Sequence, residues 1–485
     1  MAEKVKRELS KHSENKWVIL ALLAVAQFMV VLDVAIVNVA LPTMAKELHF
    51  TSNNLQWVIT AYTLTFGGFL LLGGRAADLY GRRKVFIASV SFFSLMSLLT
   101  GLAATETQVI IARAFQGLGA AFMSPAALSI VLSEFNEGKE RNKAMGVWAA
   151  VSAGGAAAGV LIGGFLTQYL GWRWNFFVNV PVGILVVFMS MRLLPHHIGE
   201  ENQKTELDLP GAVLATSGLM ALVFGLSKAP TRGWGASIVW EFIIAGVILL
   251  ALFVVNERRA KHPLMPLEIF RIRNVLGGNI AFVAIACTLF SMFFFLTLYV
   301  QQILGYSPVR AGLCFLPVTF IVAIVSGIVS NMVGKIGYKP PLVLGPAVIA
   351  LGLWILSETI KVGGNYWHNV FPGLAVFAMG MGFTFVSGTL TATSGVPRHF
   401  SGLASGILNT SQQVGGAIGL AVLSAVAFTT VKTEVSTGAS LPSAQIAGYS
   451  KAMHVGILLA LAACLVVVFL VKNHKVDASE AMMAG

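Results

Sequence analysis

Val30-Val31-Leu32-Asp33-Val34-Ala35-Ile36-Val37-Asn38 closes an apolar run that begins at Trp17 and leads into Val39-Ala40-Leu41-Pro42. Read as helix, at about 1.5 Å per residue, the run is long enough to cross a hydrocarbon core of ~30 Å. A carboxylate at that depth is costly unless it is paired, protonated or facing water. Asp33 therefore reads as a functional group. The competing reading is an acid held permanently in a structural ion pair.

The rest of the chain extends this solvent assignment. Of its 485 residues, 56% are hydrophobic and 11% charged, a balance that excludes a soluble globular domain and indicates an integral membrane protein. The net charge of +12 resides in short loops between apolar runs. It reads as a topology signal and a contact with anionic lipid, not as a nucleic-acid surface. Cys287, Cys314 and Cys464 lie far apart inside apolar runs, so neither a disulfide framework nor a metal site is indicated. The first apolar run is too long for a cleavable signal.

About fourteen runs have membrane-crossing length, an even number that places both termini on one side. Loops on that side hold about 24 Lys and Arg against about 8 opposite, which predicts cytoplasmic termini. The expected organisation is a tail over 1–16, a six-helix bundle over 17–195 and two inserted helices with their linkers over 196–274. A second six-helix bundle follows over 275–471, then a tail over 472–485.

A repeat supports two related bundles. Gly117-Leu118-Gly119-Ala120-Ala121-Phe122-Met123-Ser124 has a counterpart in Gly380-Met381-Gly382-Phe383-Thr384-Phe385-Val386-Ser387, eight spans later. In the next spans Gly146, Gly155 and Gly159 align with Gly406, Gly415 and Gly419.

After the second span comes Gly74-Arg75-Ala76-Ala77-Asp78-Leu79-Tyr80-Gly81-Arg82-Arg83-Lys84. An acid at a helix end facing cations across a glycine turn can latch neighbouring helix ends in one conformation and release them in another. This loop resembles the signature loop of the major facilitator superfamily. Leu32-Asp33 through Pro42, Arg113-Ala114-Phe115-Gln116-Gly117-Leu118-Gly119 and Trp172-Arg173-Trp174-Asn175-Phe176-Phe177-Val178-Asn179-Val180-Pro181 extend the likeness to the fourteen-span drug:proton antiporter family. There are departures: Leu79 replaces the usual basic residue, and Val160 stands where that family's fifth span usually has proline. Without the kink, Gly155, Gly159 and Gly163 read as helix-packing positions.

The resemblance implies an all-α fold with fourteen transmembrane helices, namely two pseudo-symmetric six-helix bundles plus two inserted helices. It also implies alternating access and a bacterial inner (plasma) membrane. Asp33 lies ~8 Å below the outer end of its span and Arg113 ~9 Å below the outer end of span four, so the two are at matching depth. With both spans lining a central cavity in the resembled fold, Asp33 and Arg113 are the expected proton-coupling pair. Gln116, Tyr62, Phe66, Ser387, Asn409, Gln412 and Gln413 are expected along the substrate cavity, and Gly74, Asp78, Gly81, Arg82 and Arg83 in the latch.

A single embedded acid suits a neutral or monocationic amphiphile better than a divalent cation. No nucleotide-binding loop is present, so the expected energy source is a proton gradient, with no cofactor and no enzyme activity. Expected partners are small hydrophobic or amphipathic substrates, protons and membrane lipids, with the chain working as a monomer. A lipid or fatty-acyl translocator and a dedicated exporter of one metabolite stay open on the same fold. The two inserted spans show no site of their own, and the resemblance implies that they are peripheral.

Overall fold

The computed structural model describes residues 2–135, 139–194, 208–261, 263–396 and 401–473, and every regular element among them is helical. Of the expected tails and linkers, 195–207 and 474–485 lie outside the described residues. In chain order the long helices are α1 (Ala2–Glu47), α2 (Trp57–Tyr80), α3 (Arg82–Leu102), α4 (Glu106–Glu134), α5 (Lys139–Tyr169) and α6 (Asn179–Leu193). Next come α7 (Leu209–Arg232), α8 (Ser237–Arg259), α9 (Arg273–Leu298) and α10 (Pro308–Ile336). The last are α11 (Lys339–Thr359), α12 (Phe371–Thr393), α13 (Ser401–Ser436) and α14 (Leu441–Leu470). Thirteen of these are long and apolar enough to cross a membrane among the described residues. The remaining one, α5, is 31 residues long, with its apolar part at Ala157–Tyr169.

Helix ends follow local chemistry. Thr105 opens α4 by accepting from the Gln108 amide, and Ser307 opens α10 in the same way, with Pro308 at the first position where no amide is needed. Between α2 and α3 the chain reverses at Gly81, whose φ of 92° a side chain would strain.

Two bundles form, α1–α6 and α9–α14, with α7 and α8 to one side. Close approach depends on small residues. A Cβ on Gly159 would lie 2.7 Å from Ala35 on α1, and one on Gly419 would lie 2.1 Å from the Cys287 Cα on α9. The duplicated glycine run is reused with a changed register. Gly117 faces α2 at Tyr62 and Gly119 faces α3 at Phe93, whereas Gly380 faces α11 at Ile349 and Gly382 faces α10 at Val325.

The inserted pair is not simply peripheral. Thr216 of α7 presses on Gly68 of α2, and Leu219 and Val223 pack with Leu64 of α2 and Ala417 and Ala421 of α13. So α7 bridges the two bundles, while α8 presents Ile244, Val247, Ile248 and Leu252 outward as a lipid-facing stripe.

The bundles are sealed together at the end opposite the start of α1. There Ile36, Leu41, Met44 and Phe176 share one core with Tyr299 and Val300. The Gln301 amide donates to the Val39 carbonyl at 2.9 Å, and the Val309 amide donates to Gln168 at 3.2 Å. At the end where α1 begins and α14 finishes, the bundles part around a cavity.

Candidate functional site

Asp33 sits in mid-helix with no exposed surface, and Arg113 opposite it is 1% exposed. The Arg113 Nη1 donates to Asp33 Oδ2 at 2.5 Å. Gln116, one turn along α4, donates to Asp33 Oδ1 at 2.9 Å, and Asn179 of α6 donates to the same oxygen at 3.0 Å. Helices α4 and α6 thus converge on the α1 carboxylate, and the Asn179 amide also donates to Ser97 of α3 at 3.0 Å. Arg113 is satisfied in turn by the Val58 carbonyl at 3.1 Å and by Gln116 Oε1 at 2.8 Å. Its guanidinium lies 4.2 Å from the Tyr62 ring centroid. A carboxylate receiving three donors, one of them cationic, has the bonding of the ionised form. Removing either charge would leave the other buried and unpaired, a change that costs about 3–5 kcal/mol.

The cavity has a volume of about 1850 Å³ and opens between the bundles at the end where α1 begins. Val30, Val31 and Val34 of α1 face it together with Gln27 and Asn38, whereas Asp33 is turned away. Phe66 lines the wall and stacks edge-on against Tyr62 at 5.8 Å, placing two rings between the cavity and the charge pair. Across from them α13 contributes Ser405, Asn409, Gln412 and Gln413 on one face, and Phe290, Phe293 and Phe315 supply an apolar wall.

Residues 23–420 match the Major Facilitator Superfamily. The chain belongs to that superfamily. Among its relatives are the puromycin resistance protein pur8 of Streptomyces alboniger and the cephamycin export protein CmcT of Amycolatopsis lactamdurans. The first is 39% identical over 90% of this chain and 86% of its own length, the second 38% identical over 90% and 89%. A solved bacterial homolog of the human lysosomal transporter Spinster, inward-facing and unoccupied, superposes with a TM-score of 0.63. It is 16% identical and is covered over 98% of its length and 96% of this chain, a likeness of fold. The POT family transporter PepTSo superposes with a TM-score of 0.68 at 18% identity, over 97% of this chain and 99% of that one. The chain is accordingly a multi-pass membrane transporter, not an enzyme.

In this facilitator the structure brings Asp33, Arg113 and Gln116 together and places Phe66, Asn409, Gln412 and Gln413 on the cavity wall. Three residues expected on that wall lie elsewhere. Gln116 is consumed by the ion pair, and Tyr62 is buried beneath Arg113. Ser387 is buried and donates to the Phe383 carbonyl of its own helix. A polar side chain at cavity depth need not face the cavity. Helix rotation decides this, and it turns these three toward neighbouring helices.

Sequence reasoning missed Asn179. It lies about five residues inward from the start of the sixth span at Trp174, and so at the depth of Asp33 by the same rise per residue. The depth argument that paired Asp33 with Arg113 would have found it.

Gly74, Arg75 and Asp78 line the cavity mouth. Arg82 reaches Asp78 at 3.4 Å and the Ser129 carbonyl of α4 at 3.3 Å, and Arg83 donates to the Met191 carbonyl of α6 at 2.5 Å. The loop thus ties the ends of α2, α4 and α6 within one bundle. Gly155, Gly159 and Gly163 all face α1, at Phe28, Ala35 and Ile36.

Proposed function

We propose that this chain exports small hydrophobic or amphipathic compounds, neutral or singly cationic, across the plasma membrane in exchange for protons. Both termini are cytoplasmic in this reading, so the cavity opens inward. The observation that carries it is the fully buried Asp33 held by Arg113, Gln116 and Asn179 inside a membrane helix. The resistance and export proteins it resembles support the cargo class.

An ionised, fully donated Asp33 beneath an inward-open cavity is the state after proton release, ready to load cargo. Protonation from outside would remove the attraction to Arg113 and leave a neutral acid with the wrong hydrogen-bond pattern for three donors. The guanidinium would then seek new acceptors, which displaces Tyr62 and, through it, Phe66 on the cavity wall. Coupling follows because one group is biased by both proton and cargo. In this reading the proton gradient is the energy source and the chain works as a monomer, which is supported by residues of both bundles lining one cavity.

The test is accumulation of puromycin by inside-out vesicles containing the protein, driven by an imposed pH gradient. Uptake that collapses with a protonophore supports the reading. Uptake indifferent to the protonophore contradicts proton coupling, and flipping of a fluorescent phospholipid without drug uptake would replace the cargo class by lipid.

A further inference from the structure

A second buried acid lies far from Asp33, where α8 ends. Glu257 is 4% exposed, and its Oε2 accepts from the Met265 amide at 2.9 Å. Its other oxygen, Oε1, is buried with no donor. It shares this buried corner with another carboxyl, that of Asp208, which is 8% exposed. Both crowd the same glycine: a Cβ built on Gly211 would lie 2.4 Å from Asp208 Oδ2 and 3.0 Å from Glu257 Oε1.

Asp208 is already committed as an acceptor. It caps α7 through the Gly211 amide at 2.9 Å and receives Asn256 Nδ2 on both oxygens, at 2.9 and 2.8 Å. Two buried carboxyl groups set side by side can hydrogen-bond only when one carries a proton, and two ionised ones repel. No cation offsets this among the described residues. Arg258 and Arg259 on the same helix, Lys261 on the linker, and Arg75 and Asp78 on α2 are all exposed, and none pairs with either acid.

We infer that Asp208 and Glu257 share a single exchangeable proton, forming a second protonation site that fastens the α8–α9 linker across the cavity mouth. The linker is placed to matter. Lys261, Pro263, Leu264 and Pro266 line the mouth. Leu264 packs on Leu72 of α2 and Ala212 of α7, and Met265 joins a cluster with Leu71 of α2 and Ala404 and Ile407 of α13. The segment therefore touches both bundles at the end that must close when the transporter turns outward. With the proton in place, Glu257 stays beside Asp208 and holds Met265. When the proton leaves to water at the mouth, the two carboxylates repel, Glu257 swings away and the Met265 amide is released. The inserted helices thereby make the mouth responsive to cytoplasmic pH.

Amide hydrogen exchange of the full-length protein in nanodiscs tests this without any cargo. After correction for intrinsic exchange, protection at Met265 in the unmodified chain should fall at least about tenfold as the pH is raised from about 5 to about 9. Glu257→Gln carries a donor to Asp208 permanently, and Asp208→Asn removes the second charge, so each should keep Met265 protected throughout. Protection across α9 serves as the folding control, and either variant alone suffices if the other fails it. A flat profile in the unmodified chain, or an undiminished fall in a folded variant, overturns the inference.

Discussion

Helices α4 and α12 carry the same glycine run but opposite chemistry. Aligned by the neighbour each glycine meets, Gly119, packed against α3, corresponds to Gly380, packed against α11. On that register Arg113 and Gln116 fall opposite Leu374 and Phe377, both buried. Likewise α9, the counterpart of α1, has no charged residue between Asn274 and Tyr299. The duplicated feature is the backbone approach that glycine permits. The charge pair belongs to the amino-terminal bundle alone, while the carboxy-terminal bundle offers the cavity neutral amides. Packing and the buried charge pair are thus written in different residues, and each can be broken separately.

The largest effect should come from making α4 resemble α12. Arg113→Leu leaves Asp33 buried without its cation and should lower stability by about 3–5 kcal/mol, read as a fall in thermal midpoint in detergent. Combining it with Asp33→Leu should recover most of that loss while transport stays absent. A double variant as unstable as the single one would show that the pair is not the reason.

Glycine substitutions should damage both halves alike. Gly73→Ala places a methyl 2.2 Å from the Ala121 carbonyl oxygen, and Gly419→Ala places one 2.1 Å from the Cys287 Cα. Each should cost about 1–3 kcal/mol by overpacking, with the pH dependence of the residual transport unchanged. A shifted pH profile in Gly419→Ala would tie the second half to proton handling and weaken the contrast.

Asn179→Leu should act more gently. It removes one of three donors to Asp33, worth about 1.5 kcal/mol for a charged acceptor and about tenfold in transport rate. Binding of cargo in the cavity, followed by quenching of tryptophan fluorescence, should be unaltered. The smallest change is expected of Arg82→Ala. Its contact with Asp78 is exposed and long at 3.4 Å, so the thermal midpoint should move by no more than the ~1 kcal/mol of a surface pair.

Much of this was legible in the sequence because the membrane simplifies the problem. Apolar length gave the helices, and counting residues from a span end gave the depth at which Asp33 meets Arg113. Rotation about the helix axis was not legible. Tyr62, Gln116 and Ser387 have the right depth for the cavity and the wrong direction, since a near-uniform apolar helix carries little periodic signal to fix its facing. The register of the repeated glycines was hidden for a related reason, because the same Gly-x-Gly spacing serves two different neighbours in the two bundles. The Asp208–Glu257 contact joins residues from two helix ends that no local pattern connects.

In the proposed mechanism Asp33 carries the proton without being needed to hold the cargo. This is tested most directly by comparing Asp33→Asn with the unmodified protein in proteoliposomes, using labelled puromycin both for exchange at equal concentrations and for uptake driven by a pH gradient. The account predicts that Asp33→Asn keeps exchange and loses gradient-driven uptake together with the accompanying proton movement. Gradient-driven uptake that persists in Asp33→Asn at the unmodified rate would contradict it.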